Sequence, residues 1–229
     1  MRTWRLIVSQ PSDGPGNMSS DEAVFLSAVK NESFQPTIRF YTWDKPCVTF
    51  GYFQKFQEFS QNPKNLEVTR RPTGGLAVFH GKDISYSIVT NKTEWPYVYN
   101  QEESYAKFHL FFKEILNTIG IPVVFYESKL QPPAGNPLCV QTFYPHDLHL
   151  KGKKIVGSSQ RRRGEVLLQQ GSIHIEPAFF DKFCAAAPAA IKKTLGINLV
   201  LDTLNGSELA SKATLLTEKY TTTEWNQKF

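Results

Sequence analysis

The chain has 229 residues, 41% of them hydrophobic and 21% charged, with seventeen Phe and four Trp, which excludes disordered and fibrous classes and leaves ample chain to bury a core. Its net charge of +5 suits an acidic carrier protein, a nucleic acid or an anionic surface without choosing among them. Three widely spaced cysteines, Cys47, Cys139 and Cys184, fit neither a disulfide framework nor a zinc site, and no apolar run reaches the ~18–20 residues of a membrane helix, so a single cytoplasmic domain over residues 1–229 is expected.

In chain order, the alternation of Trp4, Leu6 and Val8 predicts a strand from Met1 to Val8. Ser19-Ser20-Asp21-Glu22 reads as a capped helix start, with Phe25, Leu26 and Val29 on its apolar face. Two β-rich runs, Thr37 to Trp43 and Cys47 to Gly51, flank the turn Asp44-Lys45-Pro46. Leu66 to Arg71 then leads through Pro72-Thr73-Gly74-Gly75 into strands at Ala77 to His80 and Ile84 to Val89.

Tyr105, Phe108, Phe112, Ile115, Leu116 and Ile119 lie at helical spacing between Gln101 and the stop at Gly120. Pro132 to Pro137 is a loop that delivers Cys139. A hairpin is expected around Lys151-Gly152-Lys153, with strand returning at Val166 to Gln169 and Gly171 to Ile175. Arg161-Arg162-Arg163-Gly164 reads as a solvated loop, and the absence of interleaved aromatics there argues against nucleic-acid binding. Phe179 to Leu195 and Ser207 to Tyr220 read as helices, the first with a break at Pro188.

Three features can carry chemistry. Arg70 and Arg71 stand at a strand end before Gly74-Gly75, where missing side chains let a ligand meet backbone N–H groups; two solvated arginines at a tight turn are the plain alternative. Strand alternation sends Lys153 and Lys154 to opposite faces, so one can point inward, while a hairpin tip with both in water fits the pattern equally. Cys139 is a nucleophile only if ionised, which a nearby ammonium favours, and a small buried hydrophobe otherwise. His80 is either a site-lining or a structural histidine. Cys47 and Cys184 are expected to pack in the core.

Taken together, Gly51 to Gln54, Arg70 to His80, Lys153 to Gln160 and Gln170-Gly171-Ser172, in this order and spacing, resemble the lipoate–protein ligase and octanoyltransferase family. The resemblance implies an α+β fold, a mixed central sheet flanked by helices like that of biotin and lipoate ligase catalytic domains, with the helix Gln101 to Gly120 over the sheet. It implies that Arg70, Arg71, Gly74, Gly75 and His80 bind the acyl group, that Lys154 contacts its carbonyl, and that Gly157, Ser158 and Ser159 line the opposing wall.

Leu76 replaces the third glycine usual in ATP-using ligases, no Gly-Asn pair follows His80, and no C-terminal accessory domain is expected before Phe229. Cys139 stands fifteen residues before Lys154, the separation found in ligase-related octanoyltransferases. That branch implies a Cys139 thioester, an acyl carrier protein as donor and a lipoyl-domain acceptor such as glycine cleavage H protein or a dehydrogenase E2, with no metal or cofactor, and a monomer. Pro145-His146-Asp147-Leu148 is instead similar to the Asn-Asp-Leu of true ligases, so an ATP- and magnesium-dependent ligase stays open, as does an amidotransferase between lipoyl-domain proteins.

Overall fold

The computed structural model describes residues 2–30, 34–59, 66–126 and 144–229. In chain order its strands are β1 (Arg2–Val8), β2 (Thr37–Tyr41), β3 (Cys47–Phe50), β4 (Glu67–Arg70), β5 (Val78–His80), β6 (Ile84–Asn91), β7 (Val124–Phe125), β8 (Leu148–Leu150), β9 (Lys153–Arg163), β10 (Val166–Ile173) and β11 (Ile197–Asp202). The helices are α1 (Gly14–Lys30), α2 (Gln101–Thr118), α3 (Phe180–Leu195), α4 (Gly206–Leu215) and α5 (Thr223–Asn226). An eight-stranded sheet runs β11-β1-β2-β6-β10-β9-β8-β7, and a three-stranded sheet runs β4-β3-β5. Both are mixed: β1 is parallel to β2 and β11, β3 is parallel to β4, and the remaining pairs are antiparallel.

The two faces of the large sheet differ in chemistry. Even-numbered Ile84, Tyr86 and Ile88 of β6 meet Phe108, Phe112 and Ile115 of α2 and Phe183 and Ile191 of α3 in the main apolar core. Burying each such side chain contributes about 1.5–3 kcal/mol. Odd-numbered Ser85, Ser87 and Val89 face the side where α1 packs. That side is partly polar: the buried Asp21 carboxylate accepts from Arg39 Nη1 at 2.8 Å, Tyr41 at 2.9 Å, Ser87 at 2.6 Å and Gln170 Nε2 at 2.7 Å.

This network explains why α1 begins earlier than expected. Its N-terminus is capped by Asp13, whose Oδ1 accepts from the Gly16 N–H at 2.8 Å, and Ser19 and Ser20 lie inside the helix, bonding back to the Gly16 carbonyl. Ser19-Ser20-Asp21-Glu22 is therefore a buried polar patch that mimics a helix start. Two further expectations are corrected. Arg161 to Arg163 continue β9 rather than forming a loop, paired with Val166 to Leu168 of β10, because Arg161 meets Glu22 and Arg162 caps the Val98 carbonyl. Pro188 does not break α3: it lies on the exposed face, where water can solvate the carbonyl four residues earlier.

One side chain gathers five carbonyls around the C-terminal segment. Arg70, fully buried, donates to the carbonyls of Gly51, Tyr52, Gln54, Trp225 and Asn226. No helix among the described residues is long and apolar enough to cross a membrane.

Candidate active site

A cavity of about 1180 Å³ opens where the small sheet faces β9 and β10. Its walls are Thr49 and His80 from the small sheet, the Gly74-Gly75-Leu76 turn, Gly157 to Gln160 of β9, Gln170 to Ser172 of β10, and Gln101, Glu102 and Tyr105 at the start of α2. Met18, Tyr41 and Trp43 add apolar surface on the α1 side.

Lys154 lies behind this wall rather than in it. As alternation requires, Lys153 is exposed and Lys154 buried, and Lys154 Nζ sits 2.6 Å from Asp147 Oδ2 with the two side chains 1% and 0% exposed. Gly157 makes room for this: a Cβ there would stand 2.2 Å from Lys154 Cε and 2.7 Å from Nζ. Asp147 also accepts from the Tyr105 hydroxyl at 2.5 Å and from the Tyr144 N–H at 2.8 Å. A buried carboxylate with these donors offsets the ammonium charge in a low-dielectric setting.

Ser158 is held from two sides. Its N–H donates to Tyr105 Oη at 2.8 Å, and its Oγ lies 2.6 Å from His109 Nε2 and in short contact with the Tyr86 hydroxyl. Burial pushes the His109 imidazole down to about 3, the His146 carbonyl working against this and the Lys154 charge adding to it, so His109 is neutral at ordinary pH. Burial likewise raises Tyr86, which stays protonated. Ser159 Oγ donates to Thr73 Oγ1 at 2.8 Å, closing the wall onto the glycine turn.

The two arginines part company. Arg71 lines the cavity and staples the turn, donating to the carbonyls of Gly74 at 2.6 Å, Leu76 at 2.8 Å and Thr49 at 3.2 Å. Because a trans peptide sets C=O and N–H antiparallel, the Gly75 N–H points away from the guanidinium. Gly75, at φ +83°, needs the conformational freedom of glycine. Arg70, expected beside Arg71 in the acyl site, lies instead outside the cavity wall, its guanidinium directed to the five carbonyls above.

His80 lines the cavity while stacking on Trp43 at 3.9 Å, with Nδ1 at 2.9 Å from Asp83 Oδ2 and Nε2 at 2.8 Å from Thr49 Oγ1. Burial acts to raise Asp83, but the charge and hydrogen bond of His80 and the hydroxyl of Ser172 outweigh it and hold the carboxyl below its ordinary value. The structure thus brings Arg71, Gly74, Gly75, His80, Gly157, Ser158 and Ser159 to one cavity, with Lys154 directly beneath.

Cys139 lies outside the described residues. Of the other thiols, Cys47 is buried, which raises its pKa, and Cys184 is pushed up to about 12 by burial. Among the described residues no cluster of His, Cys, Asp or Glu is arranged to hold a metal ion. Tyr105 and His109 are polar site residues that no sequence motif above marks. Their spacing of four, which places two hydrogen-bonding side chains one turn apart on the sheet-facing side of a helix, was the available signal.

The model of the lipoyl protein ligase A/B catalytic domain matches residues 13–202. An octanoyltransferase LipM of Carboxydothermus hydrogenoformans is 39% identical over 180 residues, covering 77% of this chain and 66% of that relative. The octanoyltransferase LipM of Halalkalibacterium halodurans is 30% identical over 274 aligned positions, covering 99% of both chains. Among solved structures, a lipoate-protein ligase A bound with ATP is similar with a TM-score of 0.80 at 21% identity, covering 98% of each chain, and a bi-partite lipoate protein ligase from Thermoplasma acidophilum has a TM-score of 0.78 at 20% identity, covering 99% of this chain and 97% of that one. These structures share the fold.

Proposed function

The chain belongs to the lipoyl protein ligase A/B catalytic domain family, and we propose that it is an acyltransferase of protein lipoylation that moves an octanoyl group from an acyl carrier protein to a lysine of a lipoyl-domain protein. The observation that carries this reading is the ammonium of Lys154, buried on Asp147 behind the Gly157-Ser158 wall of a large cavity with apolar Met18, Tyr41 and Trp43 at one end. The relatives named octanoyltransferase support the acyl group, and the fifteen-residue spacing from Cys139 supports the thioester route.

In this route the Cys139 thiolate attacks the carbonyl carbon of the octanoyl thioester. The new C–S bond forms as the carrier's C–S bond breaks, and the carrier thiolate leaves and takes up a proton. The unprotonated acceptor lysine then attacks the acyl-Cys139 carbonyl, the C–N bond forms, the Cys139 thiolate departs and the amine loses a proton to water. No ATP is consumed, since a thioester is already an activated acyl donor. Cys139 stands five positions before Tyr144, which lines the cavity, and five residue steps reach at most ~18 Å. Coulomb attraction falls with distance, so the Lys154–Asp147 pair favours a thiolate placed nearer the ammonium than the carboxylate. The Gly75 N–H is the candidate donor to the oxyanion of each tetrahedral intermediate.

Incubation with octanoyl-carrier protein and an apo lipoyl domain, without nucleotide, tests the reading. Octanoylation of the domain lysine is expected. Acylation that appears only with ATP and free octanoate or lipoate would place the chain in the adenylating branch instead.

A further inference from the structure

The turn that presents Asp147 is bonded through its backbone to Tyr126, whose N–H donates to the Asp147 carbonyl at 2.7 Å and whose carbonyl accepts from the His146 N–H at 3.2 Å, and the residue before Asp147 has a left-handed backbone. His146 sits at φ 70°, a left-handed conformation that a non-glycine residue keeps only where its surroundings hold it. To these backbone bonds α2 adds two side chains. Tyr105 and His109, one helical turn apart, each bridge this loop and Ser158 of β9 by hydrogen bonds.

The directions of these bonds are fixed. The His146 carbonyl only accepts, so His109 Nδ1 carries the proton and donates to it at 2.7 Å. A neutral imidazole then offers Nε2 as an acceptor, and the Ser158 hydroxyl donates to it. Tyr105 Oη donates to Asp147 Oδ1 and accepts from the Ser158 N–H, which points back at α2. Two side chains thus tie two adjacent loop residues to one strand residue, four positions along β9 from the lysine that faces Asp147. His109 is completely buried, a position where its polar atoms have a cost unless this bonding is realised.

We propose that Tyr105 and His109 are positioning residues, a clamp that holds the His146-Asp147 turn against β9 and so keeps the Asp147 carboxylate on the Lys154 ammonium. Helix α2 then sets the geometry of the acyl site through two polar side chains, in addition to covering the sheet. The inference rests on the reading of Lys154 as the acyl-site lysine.

Its test compares Tyr105→Phe, His109→Leu and Lys154→Met in carrier-to-domain octanoyl transfer, alongside the ¹⁵N-detected ammonium signal of Lys154 in wild type, Tyr105→Phe and Asp147→Asn. The clamp predicts that each α2 variant lowers kcat at least ~10-fold with KM nearly unchanged, since a misplaced group costs rate rather than binding. It also predicts that Tyr105→Phe moves the Lys154 ammonium signal in the same sense as Asp147→Asn. If His109→Leu does not fold, Tyr105→Phe, which removes a single oxygen, carries the test alone. Normal kcat in the α2 variants beside an inactive Lys154→Met would overturn the clamp and leave the proposed function standing. Full activity of Lys154→Met would overturn the role given to the lysine, and the ammonium signal would then decide the clamp, an unmoved signal in Tyr105→Phe contradicting it.

Discussion

Lys154 Nζ and Asp147 Oδ2 stand 2.6 Å apart in a part of the molecule that admits almost no water. Removing one partner of such a pair is more damaging than removing both. Asp147→Asn takes the carboxylate away from a buried ammonium and is expected to cost about 3–5 kcal/mol, measured by urea unfolding. The double variant Lys154→Met/Asp147→Leu is expected to recover most of that stability while remaining inactive, which separates the pair's part in catalysis from its part in folding.

Gly157→Ala tests the same pair without touching either charge. The added methyl would overlap Lys154 Cε and Nζ, displacing the ammonium from Asp147. Octanoyl transfer is expected to fall ~10- to 100-fold with little change in the far-ultraviolet spectrum.

The pH dependence of stability follows from His109. Its folded pKa of about 3 lies below the ordinary 6.5, so below 6.5 the unfolded chain binds the extra proton. The contribution is therefore complete above that value and is lost as pH falls toward 3. A slope of up to ~1.4 kcal/mol per pH unit follows, on the order of 2 kcal/mol between pH 6.5 and pH 5. Thermal melts across that range are expected to fall steeply for wild type and less steeply for His109→Gln.

Arg70 and Arg71 are expected to fail differently. Arg70→Ala leaves five backbone carbonyls without their guanidinium and loosens the segment around Trp225 and Asn226, so a loss above about 3 kcal/mol is expected, with the activity of the remaining folded protein near wild type. Arg71→Ala releases the Gly74-Leu76 turn at the cavity wall, and a raised KM for the acyl donor is its expected mark. Equal loss of activity per folded molecule in both would contradict the assignment.

Much of this was legible in the sequence because it depends on local periodicity. The alternation that set Lys153 against Lys154, the helical spacing of Phe108, Phe112 and Ile115, and the glycine turn all read correctly from neighbours along the chain. What escaped were residues whose meaning is set by distant partners. Ser19 to Glu22 look like a cap until Arg39, Ser87 and Gln170 are seen around Asp21, and Arg161 to Arg163 look solvated until Glu22 and the Val98 carbonyl are seen beside them. Arg70 and Arg71 are adjacent and chemically identical, and only the fold sends one to the C-terminal segment and the other to the cavity. The likeness to known motifs implied a contact of Lys154 with the acyl carbonyl, a role that periodicity could not assign, and the fold places Lys154 on Asp147 behind the cavity wall.

In the proposed route Cys139 carries the acyl group. Intact-mass measurement of the protein after exposure to octanoyl-carrier protein, without ATP and without acceptor, tests it most directly. The account predicts a gain of one octanoyl group, mapped to Cys139 by peptide analysis, released on addition of an apo lipoyl domain and absent in Cys139→Ala. An unmodified wild type, or a Cys139→Ala variant that transfers octanoyl groups at the wild-type rate, would contradict it.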